Sequence, residues 1–333
     1  MNKIIYVTLA ALALWGAGAN AHAASPVVAA EYDLLGPFGN SFFDVTTSAN
    51  GLAVFRWDTF EHEPFPGVVA VMKNAGEPFV ASDLITVALN SDWSKIAVSW
   101  VYHITGAAGP EEEYADDVEK VAREIGVRPE EVDAASYGDG FKGDSWVSRP
   151  VIVDLETGAE TPLAIAGGDF LYWLNDDELV IGRETSGLRC EALGTMEAIK
   201  YDLRTGESET FASEDLPPLL NERCTVPIRN AQRGRLNPPY TSKDWGTLPA
   251  ACIYGLDEPA PPVAVPSRGG QLESDEGAIY WVPAAGGHPV KVAAGNALAA
   301  SDDGVWLFVR SEPEPLWDWF TVEGFYALRL EWQ

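Results

Sequence analysis

The chain is poor in basic residues, with 22 Lys and Arg against 50 Asp and Glu and a formal net charge of -28. Nucleic acid and anionic membrane surfaces recruit proteins through clustered lysine and arginine that displace counterions, so neither is expected as a partner. Cysteine is nearly absent: Cys190, Cys224 and Cys252 are the only three, and their spacing fits no zinc site. Histidine is scarce as well. Beyond His22 there are only His62, His103 and His288, and no Gly-x-Ser-x-Gly elbow accompanies them, so no catalytic triad and no catalytic residues are expected. After Trp15 no apolar run is long enough to span a bilayer, which requires about 20 residues.

What is present begins with a leader. Residues 1–23 hold one lysine, an apolar run from Ile4 to Trp15 and the small-x-small sequence Ala21-His22-Ala23. These are the marks of a signal peptide cleaved after Ala23, which places the mature chain in the periplasm or outside the cell, without a membrane anchor. In that oxidising compartment the three cysteines suggest one disulfide and one thiol. Cys190 and Cys224 sit in polar, loop-like sequence and form the expected pair, whereas Cys252 in "AACIYG" reads as a small buried hydrophobe.

Two near-copies of one phrase organise the remainder. "VIVDLETGAETPL" starts at Val151 and "IKYDLRTGESETF" at Ile199, so Asp154 and Asp202 stand 48 residues apart. In each, alternating β-branched or aromatic residues lead to the aspartate and Thr-Gly follows. Gly158 and Gly206 supply the positive φ that a tight turn requires, and an aspartate can accept backbone N–H bonds across it, so each phrase predicts a hairpin. A second element recurs upstream: "LNSDWSKIAVSW" from Leu89, "LNDDELVIG" from Leu174, "ASDDGVWLFV" from Ala300 and "TSANGLAVFRW" from Thr47. Each is a polar turn followed by an apolar strand. Turn-strand and hairpin together make a unit of about four strands.

One unit is too long until its middle is examined. "GPEEEYADDVEKVAREIGVRPEEV" places Tyr114, Val118, Val121, Ala122 and Ile125 at helical spacing, with Pro110 and glutamates at the start and Gly126 at the end. An amphipathic helix is therefore expected as an insertion over 107–135. Residues 217–270 hold many of the 23 prolines and are expected to form an irregular region. "EGFYALRLEWQ" predicts a terminal strand with Tyr326, Leu328, Leu330 and Trp332 on one face.

Four-strand units repeating at 40–50 residues are the signature of a propeller. The fold expected is all-β: a single β-propeller of six or seven four-stranded blades over residues 24–333. "LNSDWSKIAVSW" and "VDLETG" resemble the TolB-type, WD40-like propeller repeat, in which a Ser-x-Asp-Gly-like turn precedes an apolar strand and an Asp-Leu-x-Thr-Gly hairpin. The resemblance covers about four of six units and implies the fold. It also implies a non-catalytic role, since TolB-like propellers bind partner proteins. Neither the α/β domain that precedes the propeller in TolB nor the hydrolase domain that follows the propellers of prolyl oligopeptidase-type peptidases is expected on this chain.

Candidate site residues lie where the repeat is interrupted. Asp139 and Asp144 in "YGDGFKGD" offer carboxylates in a glycine-rich loop, which calcium accepts, although the alternation of an EF-hand loop is missing. Calcium is the only cofactor to consider. Trp317 and Trp319 in the Pro-rich "EPEPLWDWF" are candidates for an exposed aromatic pair. Arg229, Arg233 and Arg235 lie in a basic stretch of an acidic chain, where they either neutralise the surface or contact a partner. The leading expectation is a monomeric binding propeller that contacts a protein or envelope component through loops on one face. The alternative is a hydrolase or lactonase that uses a divalent metal in the propeller channel.

Overall fold

A computed structural model describes residues 25–33, 41–60, 63–64, 67–74, 76–104, 111–138, 145–168, 170–184, 196–211, 262–311, 314–317, 320–322 and 324–333. The chain enters as strand β1 (Pro26–Asp33). The first unit follows as β2 (Ser41–Ser48), β3 (Gly51–Phe60), the short β4 (Glu63–Pro64), β5 (Gly67–Lys73) and the start of β6 (Phe79–Leu89). The second unit takes the rest of β6, then β7 (Lys95–Ile104), helices α1 (Glu111–Ile125) and α2 (Pro129–Ala135), β8 (Tyr137–Gly138), β9 (Ser145–Asp154) and β10 (Glu160–Pro162). The third is β11 (Phe170–Trp173), β12 (Glu178–Glu184), β13 (Met196–Asp202) and β14 (Ser208–Phe211). The fourth is β15 (Val263–Val265), β16 (Gly270–Asp275), β17 (Ala278–Pro283) and β18 (Val290–Ala294). The last comprises β19 (Asn296–Ala300), β20 (Trp306–Arg310), a β21 (Glu314–Trp317) to β22 (Phe320–Val322) hairpin, and β23 (Phe325–Trp332).

Every unit is an antiparallel meander. Units three and four are four-stranded sheets in chain order, and the last is completed by β1 in the order β1-β23-β20-β19. The first two units share a nine-stranded sheet because β6 serves both. Phe79 to Ala81 pair with β5, Thr86 to Leu89 pair with β7, and Leu84 pairs with both, facing Gly67 of β5 and Trp100 of β7. Just before this handover Asp83 takes φ +61°, a left-handed turn that aspartate tolerates better than most residues.

The apolar faces of successive units meet. Ala53 and Phe55 of the first unit pack with Val87 and Ile96 of the second, and Ala97 and Ile152 of the second with Leu171 and Ile181 of the third. Leu272 and Trp281 of the fourth meet Leu307 and Leu328 of the last. The last unit in turn packs Trp306 and Phe308 against Leu52 and Met72 of the first. Four-stranded meanders stacked face to face, with the N-terminal strand completing the C-terminal sheet, are the architecture of a β-propeller. Five blades fall among the described residues. The blade count expected for the whole chain depends also on residues 212–261, which lie outside them. β15 and the start of β16 occupy residues that the proline content marked as irregular.

The repeated phrases account for the turns. Asp154 Oδ1 accepts the N–H groups of Glu156 and Thr157 at 3.0 and 2.7 Å. Asp202 Oδ1 does the same for Arg204 and Thr205 at 2.8 and 3.2 Å. Gly158 and Gly206 take φ +71° and +74°. The polar turns before β7 and β20 are equally alike: Ser94 N–H donates to Asp92 Oδ1, and Val305 N–H to Asp303 Oδ1. Gly304 holds the left-handed position of one turn at φ +68°, and Trp93 holds it in the other at φ +60°. The buried Trp93 ring lies over Gly51, where an added Cβ would come within 2.7 Å of it.

These turns also join neighbouring blades. Asp176 accepts from Ser91 Oγ at 3.0 Å, while Lys95 Nζ donates to the Asp176 carbonyl at 3.1 Å. Lys73 Nζ reaches the Trp93 carbonyl at 2.8 Å and Arg268 Nε the Asp303 carbonyl at 2.7 Å. Two buried indoles do likewise: Trp173 Nε1 donates to Ala88 O and Trp306 Nε1 to Asn74 O.

Candidate interaction face

In an antiparallel meander, the first-to-second and third-to-fourth connections lie at one end of the sheet and the second-to-third connection at the other. The described blades use the two ends differently. Tight turns such as 155–158, 174–177 and 301–305 occupy the first end. Apart from the single 3-10 turn Pro266–Arg268 between β15 and β16, the described elaborations fall in second-to-third connections: β4 between β3 and β5, the two helices and β8 between β7 and β9, and the β21–β22 hairpin between β20 and β23. Among the described residues, all added structure larger than a single turn is therefore on one face of the propeller.

The helical insertion is the largest of these. Tyr114, Val118, Val121, Ala122 and Ile125 of α1, with Val132 and Ala135 of α2, pack on Ile104 and Val147, near the ends of β7 and β9. Pro129 opens α2, where its missing N–H costs nothing, and Glu130 and Glu131 follow in the first turn. Gly126 ends α1 at φ +86°. Arg149 on β9 fastens the insertion to the blade: Nη1 donates to the Glu124 carbonyl, in the last turn of α1, and Nε to the Leu163 carbonyl, each at 3.1 Å. That satisfies a helix-terminal carbonyl left without an intrahelical partner.

Two further contacts stiffen the face. Tyr114 donates its hydroxyl to Asp133 Oδ1 at 3.0 Å, which joins α1 to α2, and burial raises the phenol above its ordinary pKa. The crossing from the second blade to the third is held down by Ser148, whose Oγ accepts the Gly168 N–H at 2.8 Å. Gly168 has no room for a side chain, since a Cβ there would lie 2.8 Å from both Pro150 Cγ and Ser99 Oγ. The outer surface of the insertion is acidic: Glu113, Asp116, Glu119, Glu124, Glu130 and Asp133 are exposed, against Lys120, Arg123 and Arg128.

Arg310, the only buried charged side chain among the described residues, stands at this same end, on the last residue of β20 beside Phe325. Sequence reasoning singled out neither Arg149 nor Arg310, because only the neighbours brought to each by the fold distinguish it. Of the expected site residues, Trp317 is the last residue of β21, on the elaborated face rather than in a loop. Asp139, Asp144, Arg229, Arg233, Arg235, Trp319, Cys190 and Cys224 lie outside the described residues. Among the described residues no group of three His, Cys, Asp or Glu could hold a metal, and no helix is long and apolar enough to cross a membrane.

No family model matches the chain, and no curated protein matches it. Solved structures similar to it include the β-propeller domain of the Trilobed protease from Pyrococcus furiosus, at 12% identity and TM-score 0.29, covering 83% of this chain and 65% of that one. Pyrococcus horikoshii acylaminoacyl peptidase is similar at 10% identity and TM-score 0.30, over 84% of this chain and 36% of that one. The AtxE2 isopeptidase follows at 8% identity and TM-score 0.31, over 82% and 49%. The chain spans less than two thirds of each of these proteins. Such scores place it in no family and say nothing of its chemistry.

Proposed function

We propose that the protein is a non-catalytic binding propeller of the TolB-like kind, with six or seven blades, working in the periplasm or outside the cell. It contacts a protein or an envelope component through the face that bears the helical insertion. The observation that carries this reading is that the described elaborations larger than a single turn gather at one end of the blades, while the described connections at the other end are short turns that join blade to blade. A rigid scaffold with variable connections at one end is how binding surfaces are commonly built. The leader at residues 1–23 supports the location, and the repeat phrases support the kinship.

The test is site-specific photocrosslinking in the native envelope. A crosslinker at exposed Glu119 of α1 is expected to capture one defined partner, and a crosslinker at exposed Thr157 in a tight turn is expected to capture none. Equal capture from both positions, or none from either when the protein is expressed at its natural level, overturns the assignment of the face.

A further inference from the structure

Asn50-Gly51 is the only Asn-Gly pair in the chain. It forms the turn between β2 and β3, where Ser48 pairs with Gly51, and Asn50 is exposed. Such a pair is chemically labile: the backbone nitrogen of the following residue attacks the asparagine Cγ, and glycine has no side chain to obstruct the approach. The new N–C bond closes a five-membered imide as the Cγ–Nδ2 bond breaks and the amide nitrogen leaves as ammonia. Water then opens the imide at either carbonyl and leaves aspartate or isoaspartate. No oxidant or reductant takes part.

The structure ties this asparagine to the neighbouring turn. Asn50 Nδ2 donates to Asn74 Oδ1 at 2.6 Å, and the Asn74 N–H donates to the Asn50 carbonyl at 2.8 Å. Asn74 faces Asn50 from the neighbouring turn in the left-handed region, φ +54°. While that latch is closed, the Asn50 amide is held by Asn74 rather than free to rotate. We propose that Asn50 is a spontaneous deamidation site whose rate is governed by the Asn50–Asn74 latch.

The site lies where a product is felt. The Asn74 carbonyl accepts the indole N–H of Trp306 from the last blade, and the Ser48 carbonyl accepts the Asp302 N–H, so this turn is part of the seam between the last blade and the first. Isoaspartate adds a methylene to a two-residue turn, and Gly51 beside it has no slack beneath the Trp93 ring. Conversion therefore loosens the seam as the protein ages.

The experiment follows Asn50 by peptide mass spectrometry, with isoaspartate detection, in full-length protein aged at mildly alkaline pH. Asn74→Gly removes the acceptor and keeps a residue at ease with positive φ, and Asn74→Asp retains an acceptor oxygen. Wild type is expected to convert at Asn50 ahead of its other asparagines, Asn74→Gly several-fold faster, and Asn74→Asp close to wild type. If Asn74→Gly converts no faster, or accelerates every asparagine equally through general unfolding, the latch is refuted. If Asn50 stays intact in wild type and in Asn74→Gly while a peptide of residues 47–54 converts, the site itself is refuted.

Discussion

Replacing Arg149 by methionine tests whether the helical insertion is a fixed part of the propeller face. Methionine keeps an unbranched chain across the half-buried surface and removes only the guanidinium. Two bonds go with it, to Glu124 O and to Leu163 O, each at 3.1 Å. Hydrogen bonds from a charged donor contribute about 1.5–3 kcal/mol each when shielded, but here water replaces part of the loss, so the pair together is worth about 2 kcal/mol. The loss falls on the C-terminal turn of α1, whose Glu124 carbonyl has no other anchor to the blade. Native-state hydrogen exchange is the assay. Amides at 121–125 are expected to exchange roughly 30-fold faster, since about 1.4 kcal/mol corresponds to tenfold. Amides in β12 and β17 are expected to keep their protection. Unchanged exchange in α1, or acceleration spread evenly over all blades, would show that Arg149 does not hold the insertion.

Two glycines with similar backbones separate strain from crowding. Gly304→Ala adds a Cβ at φ +68° within 2.6 Å of Val265 Cγ1 and 2.8 Å of Trp332 Cζ2, and is expected to cost about 3 kcal/mol in a urea titration. Gly158→Ala, at φ +71° with nothing within 4 Å, should cost only the strain, about 1 kcal/mol, and equal losses would refute the distinction. The turn aspartates give a pH signature. Backbone N–H bonds, from Thr157 to Asp154 and from Arg204 to Asp202, hold both carboxyls below their ordinary value of 3.8. Their contribution is thus complete above that pH and fades as pH falls through the lower folded value. Asp154→Asn and Asp202→Asn are expected to differ most from wild type in melting temperature near neutral pH and to converge with it as pH falls well below 3.8. A gap that persists in acid would mean that the charge is irrelevant.

The legible features were those whose physics is local. Asp154 with Thr157 and Gly158, and the matching Asp202 set, form their bonds within five residues, so the phrase predicts the turn. The helix at 111–125 was legible for the same reason: its apolar face recurs every three or four residues, and Gly126 stops it. Residues 263–275 were not legible as strands, because "VAVPSRGGQLESD" interrupts its alternation with Pro266 and two glycines, and pairing with β17 compensates for what the local pattern lacks. The candidate site was legible only in part, in the insertion itself. Nothing near Arg149 or Arg310 in the sequence distinguishes them from residues that point into solvent.

By itself, then, the sequence determined an all-β chain of repeated turn-strand and hairpin units with one helical insertion, because each of those is specified by neighbours within a few residues. The tertiary structure alone decided the pairing of β1 with β23 across the whole length of the chain. It decided the division of β6 between two blades at Leu84, the left-handed Trp93 over Gly51, and the gathering of β4, the two helices and the β21–β22 hairpin at one end. Each of these depends on contacts between residues far apart in sequence. Such contacts exist only once the blades have stacked, and no short window of sequence contains both partners.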